Sequence, residues 1–203
     1  MKKTLKIGCL VIMLGIMAIV GIYGFVLFGS NTKSTEDVAY YRALSGETDG
    51  PDTMQIFGSE FDMPCPYDLP QLSELGSYAD IRFNYSAMRA GVFQSHAYTL
   101  IVEYDDNAYE VQKLALQEKY TYCTEQSQGF TDGKMTEHKY IMDAFEIHAV
   151  EGGRYPAEML FIGYSDSRKE IAIIYFYDQD LDYIDDPLGK FIAENTGWLK
   201  VVK

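Results

Sequence analysis

The chain has 203 residues, 30 of them acidic and 17 basic, for a formal net charge of −13. A surface that acidic repels phosphate backbones and anionic lipid headgroups alike, so nucleic acid is not an expected partner. The length suits one domain with a real hydrophobic core once the first 28 residues are set aside.

Those first residues carry the strongest signal. Ile7 to Phe28 is an apolar run directly behind Lys2, Lys3 and Lys6. A helix of this length spans a hydrocarbon core of about 30 Å. The positive flank predicts a cytoplasmic tail over 1–6, a transmembrane signal-anchor over 7–28 and an extracytoplasmic remainder. A cleaved signal peptide is the competing reading. It fits less well, because the run is long and Val26, Leu27 and Phe28 put bulky residues where a cleavage site needs small ones.

Residues 29–76 read as an exit helix and a linker. Ser34 with Asp37 three residues on resembles a helix N-terminus, and Val38, Tyr41 and Leu44 follow at helical spacing. The stretch from Ser45 to Ser59 is rich in Gly, Asp and Thr. Pro64, Pro66 and Pro70 then exclude long regular structure, leaving room for one helical turn over Leu69–Leu75.

The ordered domain is expected over 77–203. Ile81, Phe83, Tyr85 and Ala87 alternate with polar neighbours, and Tyr98, Leu100, Val102 and Tyr104 repeat the period, which predicts an antiparallel pair. Ala108, Val111, Leu114 and Ala115 mark the apolar side of a helix running to about Tyr122. Phe145, Ile147 and Ala149 predict a third strand. Met159–Tyr164 and Ile171–Tyr177 form a hairpin, and the second of these is apolar at nearly every position, as a strand covered on both faces would be. Asp186, Pro187 and Gly197 punctuate a last helix. The fold class expected is α+β: a curved antiparallel sheet of about five strands in the order β-β-α-β-β-β-α, with two helices on one face.

Candidate sites are sparse. Cys65 and Cys123 are an even pair outside the anchor. They fit either a disulfide, worth about 4 kcal/mol for a loop of about 59 residues, or two buried small hydrophobes. Asp178, Asp180 and Asp182 have the alternate-carboxylate spacing with which a calcium loop begins. However, Tyr183 stands where such a loop needs glycine, and Gly189 where it needs glutamate. Of the three histidines, His96 shares strand parity with Tyr98, His148 points with Glu146, and His138 lies in a polar segment. No nucleophile elbow, zinc-protease motif or phosphate-cradling loop accompanies them. No cofactor is expected. The sequence reading is a non-enzymatic, membrane-anchored binding or envelope-assembly module facing an unknown protein or surface ligand. A cell-surface hydrolase with a site assembled from distant residues, and an accessory sensor subunit, are the alternatives.

Overall fold

In the computed structural model the described residues are 30–47, 67–90, 93–124, 139–142, 144–152 and 158–178, together with Gly15 and Met17, both helical. Alternating sequence produces the expected hairpins at the centre. Strands β2 (Asp80–Ala90) and β3 (Phe93–Glu103) pair antiparallel with Ile81 opposite Val102 and Tyr85 opposite Tyr98. Strands β6 (Glu158–Ser165) and β7 (Glu170–Asp178) form the second hairpin, with Ile162 opposite Ile173. The edge of β7 away from β6 pairs with β3, so the doubly apolar run is the central strand. Every residue from Ile171 to Phe176 is buried.

Among the described residues the sheet has seven strands, not about five. Its order is β1-β2-β3-β7-β6-β5-β4, antiparallel throughout, with β5 at Phe145–Ala149. The two additional strands lie at the edges. Strand β1 (Ser30–Thr35) pairs with β2 from Tyr85 to Ala90, where a polar exit was expected. Its sequence, SNTKST, has no apolar alternation to betray it; it is held by the backbone ladder to β2. Strand β4 (Lys139–Met142) is only four residues long and pairs with β5.

Helix α1 (Val38–Leu44) starts from Asp37, whose carboxylate accepts the Ala39 N–H at 2.9 Å. Ser34, the cap expected from sequence, lies instead in β1. A single 3₁₀ turn at Leu72–Leu75 buries both leucines, as the proline-rich segment allowed. Helix α2 (Asp106–Lys119) is capped by Asp105, which accepts the Ala108 N–H at 2.8 Å. It ends at Lys119, and Tyr122 instead bridges to Val150.

The buried side of α2 is not the one its apolar spacing suggested. Tyr109, Gln112 and Leu116 face the sheet, while Val111 and Leu114 are 68% and 65% exposed. The reason is size and reach. A tyrosine ring covers far more apolar area than valine or alanine, and its hydroxyl still finds a partner at the rim. The Tyr109 hydroxyl donates to Asp166 Oδ1 at 2.5 Å, which turns the helix about its axis.

Both faces of the sheet are buried. On the helix face α1, the 3₁₀ turn and α2 enclose Phe83, Tyr85, Tyr98, Leu100, Ile162 and Tyr175. The far face carries Ile101, Ile147, Phe161, Ala172, Ile174 and Phe176. Gly163 in β6 allows close packing there, since a Cβ would come within 3.2 Å of the Phe145 ring and 3.3 Å of Ile147 and Ala172.

Among the described residues no helix is long and apolar enough to cross a membrane. The expected anchor over 7–28 lies outside them apart from Gly15 and Met17, and so does the expected helix over 186–197.

Candidate functional site

Antiparallel pairing lines side chains into rows across the helix face. One row runs Tyr85, Tyr98, Tyr175, Leu160 from β2 to β6. The next toward the strand ends runs Ala87, His96, Tyr177, Glu158. Sequence parity had placed His96 with Tyr98, and the structure keeps them on one face. The imidazole stacks on Tyr177 with centroids 4.9 Å apart and lies 6.0 Å from the Tyr175 ring. Tyr175 donates its hydroxyl to Glu158 Oε1 at 2.5 Å, so a buried carboxylate sits two strands from the histidine.

His96 is 4% exposed, and neither ring nitrogen has a hydrogen-bond partner among the described residues. Burial disfavours the imidazolium and pushes the group down to about 3, so the ring is neutral at physiological pH. A general base needs an orienting acceptor on one nitrogen and a reacting group at the other. His96 has neither among the described residues, and its stacked setting resembles a core aromatic.

His148 has the opposite surroundings. From β5 it stacks on Tyr122 at 5.0 Å, and its Nε2 lies 2.9 Å from Glu146 Oε1. The second oxygen of Glu146 takes Lys139 Nζ at 2.7 Å. Hydrogen bonding to Lys139 holds the Glu146 carboxyl below its ordinary value, with the His148 contact adding to it. Tyr122 and Tyr164 share a hydroxyl–hydroxyl hydrogen bond, and Lys113 Nζ stands 5.6 Å over the Tyr164 ring while donating to Asp166 at 2.6 Å. Ion pairs thus tie α2 to the β6–β7 turn and β4 to β5.

The metal and disulfide candidates are only partly within view. Asp178 ends β7 opposite Ser95, while Asp180 and Asp182 lie outside the described residues. Among the described residues no group of three His, Cys, Asp or Glu is arranged to hold a metal ion. Cys123 is buried beside the Tyr122–Val150 bridge, and its N–H donates to Ala149 at 2.8 Å. Cys65 lies outside the described residues, as does His138.

The concavities among the described residues include two of similar size. One, of about 430 Å³, lies between Asp68, Lys119, Tyr120 and Glu151. It is crossed by structural bonds: Tyr120 donates to the Asp68 carbonyl at 2.7 Å, and Lys119 pairs with Asp68 and Glu74. The other, of about 410 Å³, lies at the outer edge of β2 against the start of α1. Comparison with protein-family models, curated proteins and solved structures gives no match for this chain.

The β2 cavity is the feature that sequence reasoning missed, because it exists only where β1 stops short. Strand β1 covers β2 from Ala90 back to Tyr85 and then leaves the sheet for α1. The edge from Asp80 to Asn84 is left without a strand neighbour among the described residues. Val38, Ile81 and Phe83 line the cavity on the helix side, and Asn84, Thr99 and Ile101 on the far side. Glu36 stands at its rim, and Arg82 is drawn away to Glu170 in a charge-assisted hydrogen bond. Thr99 is 1% exposed, and its hydroxyl has no partner among the described residues.

Proposed function

We propose that the chain is a non-enzymatic binding or envelope-assembly module, held by residues 7–28 at a membrane with its folded domain on the extracytoplasmic side. The observation that supports binding is the edge of β2 at Asp80–Asn84, which meets no strand among the described residues and borders a cavity, in a sheet whose faces are otherwise buried. A sheet edge is reactive toward other chains, and folded proteins ordinarily blunt or cover it. The anchor rests on sequence: a long apolar run behind three lysines, with all 30 acidic residues after it.

Of the described histidines, His96 lends no support to a hydrolytic reading. His96 is neutral and without partners among the described residues, and His148 is engaged with Glu146 and Tyr122.

Protease treatment of intact cells producing the full chain tests the topology. The expected result is recovery in the membrane fraction with the domain digested from outside. A soluble chain beginning near Ser30 in the medium, or a chain protected inside the cell, would overturn the anchor.

A further inference from the structure

We infer that the free edge of β2 at Ile81–Phe83 takes an extended segment of a partner protein as an added strand, with a basic residue in that segment facing Glu36 and Asp80. The inference deepens the binding reading above and rests on it.

The hydrogen-bonding phase of the sheet decides which groups are free. The Tyr104 N–H donates to the Lys169 carbonyl at 2.9 Å, extending the β3–β7 ladder past the Glu103–Glu170 pair. Even-numbered residues of β3 therefore bond to β7, and odd-numbered ones turn toward β2, opposite Asp80, Arg82, Asn84 and Ser86. The Ala79 N–H donating to the Glu103 carbonyl at 2.8 Å agrees with that phase. Ile81, Phe83 and Tyr85 consequently point their backbone groups outward. Tyr85 meets Thr35 of β1, whereas Ile81 and Phe83 meet no strand among the described residues. Two N–H donors and two carbonyl acceptors are thus presented in strand spacing.

The cavity supplies side-chain selection. A residue paired with Ile81 or Phe83 lies on the helix face, over Val38. The residue between them lies on the far face, opposite Arg82 and beside Asn84. That position is flanked by the polar side chains of Arg82 and Asn84, which suits a small polar residue such as threonine. Charge selects the flanks. Glu36, Asp80 and Glu103 are exposed around the edge and outnumber Arg82, which bonds to Glu170 and has its Nε 4.0 Å from Asp80. The occupant is therefore a basic, alternating, extended peptide, bound as main-chain strand addition provides.

The test uses a capped pentapeptide, Lys-Val-Thr-Val-Lys, with the isotopically labelled full chain in detergent micelles. The expected result is saturable binding, with amide exchange at Ile81 and Phe83 slowed about tenfold or more. The same peptide N-methylated at the amides that face the edge should bind at least about tenfold more weakly, the equivalent of one lost hydrogen bond. Glu-Val-Thr-Val-Glu should also bind more weakly. Equal binding by the N-methylated peptide, protection elsewhere but not at Ile81 and Phe83, or no binding at all would overturn the inference. Cross-linking in membranes separates this from the broader reading. A partner captured from probes on α2 but not from probes beside Ile81 sinks strand addition while leaving the binding module standing.

Discussion

The two faces of the sheet are buried to similar depth by different chemistry. The helix face is built from Tyr40, Tyr41, Tyr85, Tyr98, Tyr109 and Tyr175, whose rings fill the core while their hydroxyls seek partners at its margins. Tyr41 reaches the Pro70 carbonyl at 2.8 Å and Tyr175 reaches Glu158. The far face is aliphatic and phenyl: Ile101, Ile147, Ile174, Phe161 and Phe176, with Gly163 admitting its neighbours closely. At its rim it carries charge, where Arg82 meets Glu170. The far face is therefore sensitive to volume, and the helix face to protonation and hydrogen bonding. Each can be broken without touching the other.

Volume should give the largest effect. Phe161 is fully buried and stacks on Phe176 with centroids 5.9 Å apart. Phe161→Ala removes a phenyl ring from a tightly packed layer and should destabilise by about 3–5 kcal/mol, with no change in pH dependence. Urea unfolding at two pH values measures both. A loss below about 1 kcal/mol would mean that the far face is loosely packed.

Protonation should give the next effect, on the helix face. His96 has a folded value depressed to about 3, while the unfolded chain has the ordinary 6.5. Above 6.5 both states are neutral there and the full stability is present. As pH falls from 6.5 toward 3 the unfolded chain takes up a proton that the folded chain refuses, and stability is lost by about 1.4 kcal/mol per pH unit. His96→Leu removes this slope. It also removes two nitrogens without partners among the described residues, so it should be at least as stable as the parent at neutral pH. The measurement is the difference between the two proteins' unfolding free energies at pH 7 and pH 5. Parallel pH dependences would show that His96 is protonated in the folded state.

The features legible in the sequence were those with a repeating local signal. Period-two alternation located β2, β3 and β5, and the unbroken apolar run of Ile171–Tyr177 identified a strand covered on both faces. Parity along β3 and β5 placed His96 beside Tyr98 and His148 beside Glu146, as found. What local pattern could not show depends on neighbours distant in sequence. SNTKST becomes a strand only because β2 offers it a ladder. Val111 and Leu114 lose the inner side of α2 to Tyr109 because Asp166, 57 residues on, receives its hydroxyl. The want of hydrogen-bond partners for His96 among the described residues arises from a row of residues drawn from four strands. The β2 cavity follows from β1 ending five residues before β2 does, which no composition records.

The smallest effect tests whether the charged end of the helix face matters as the buried end does. Glu146 touches Lys139 and His148, but it and Lys139 are 44% and 42% exposed at the side chain. Solvent screens such pairs, and Glu146→Gln should cost about 0.5 kcal/mol or less at neutral pH. Its sign with pH also differs in window from that of His96. A carboxyl held below its ordinary value contributes stability above the unfolded value of 4.5 and loses it as pH falls through the lower folded value. Between pH 5 and 6.5 the Glu146→Gln protein should therefore track the parent, while His96→Leu departs from it. Adding 0.5 M salt should narrow the gap between Glu146→Gln and the parent and leave the His96→Leu difference unchanged, because only the exposed pair lies within reach of mobile ions. If Glu146→Gln instead costs more than about 2 kcal/mol and is insensitive to salt, the network from Lys139 through His148 to Tyr122 is shielded from water, and the two ends of the face are alike.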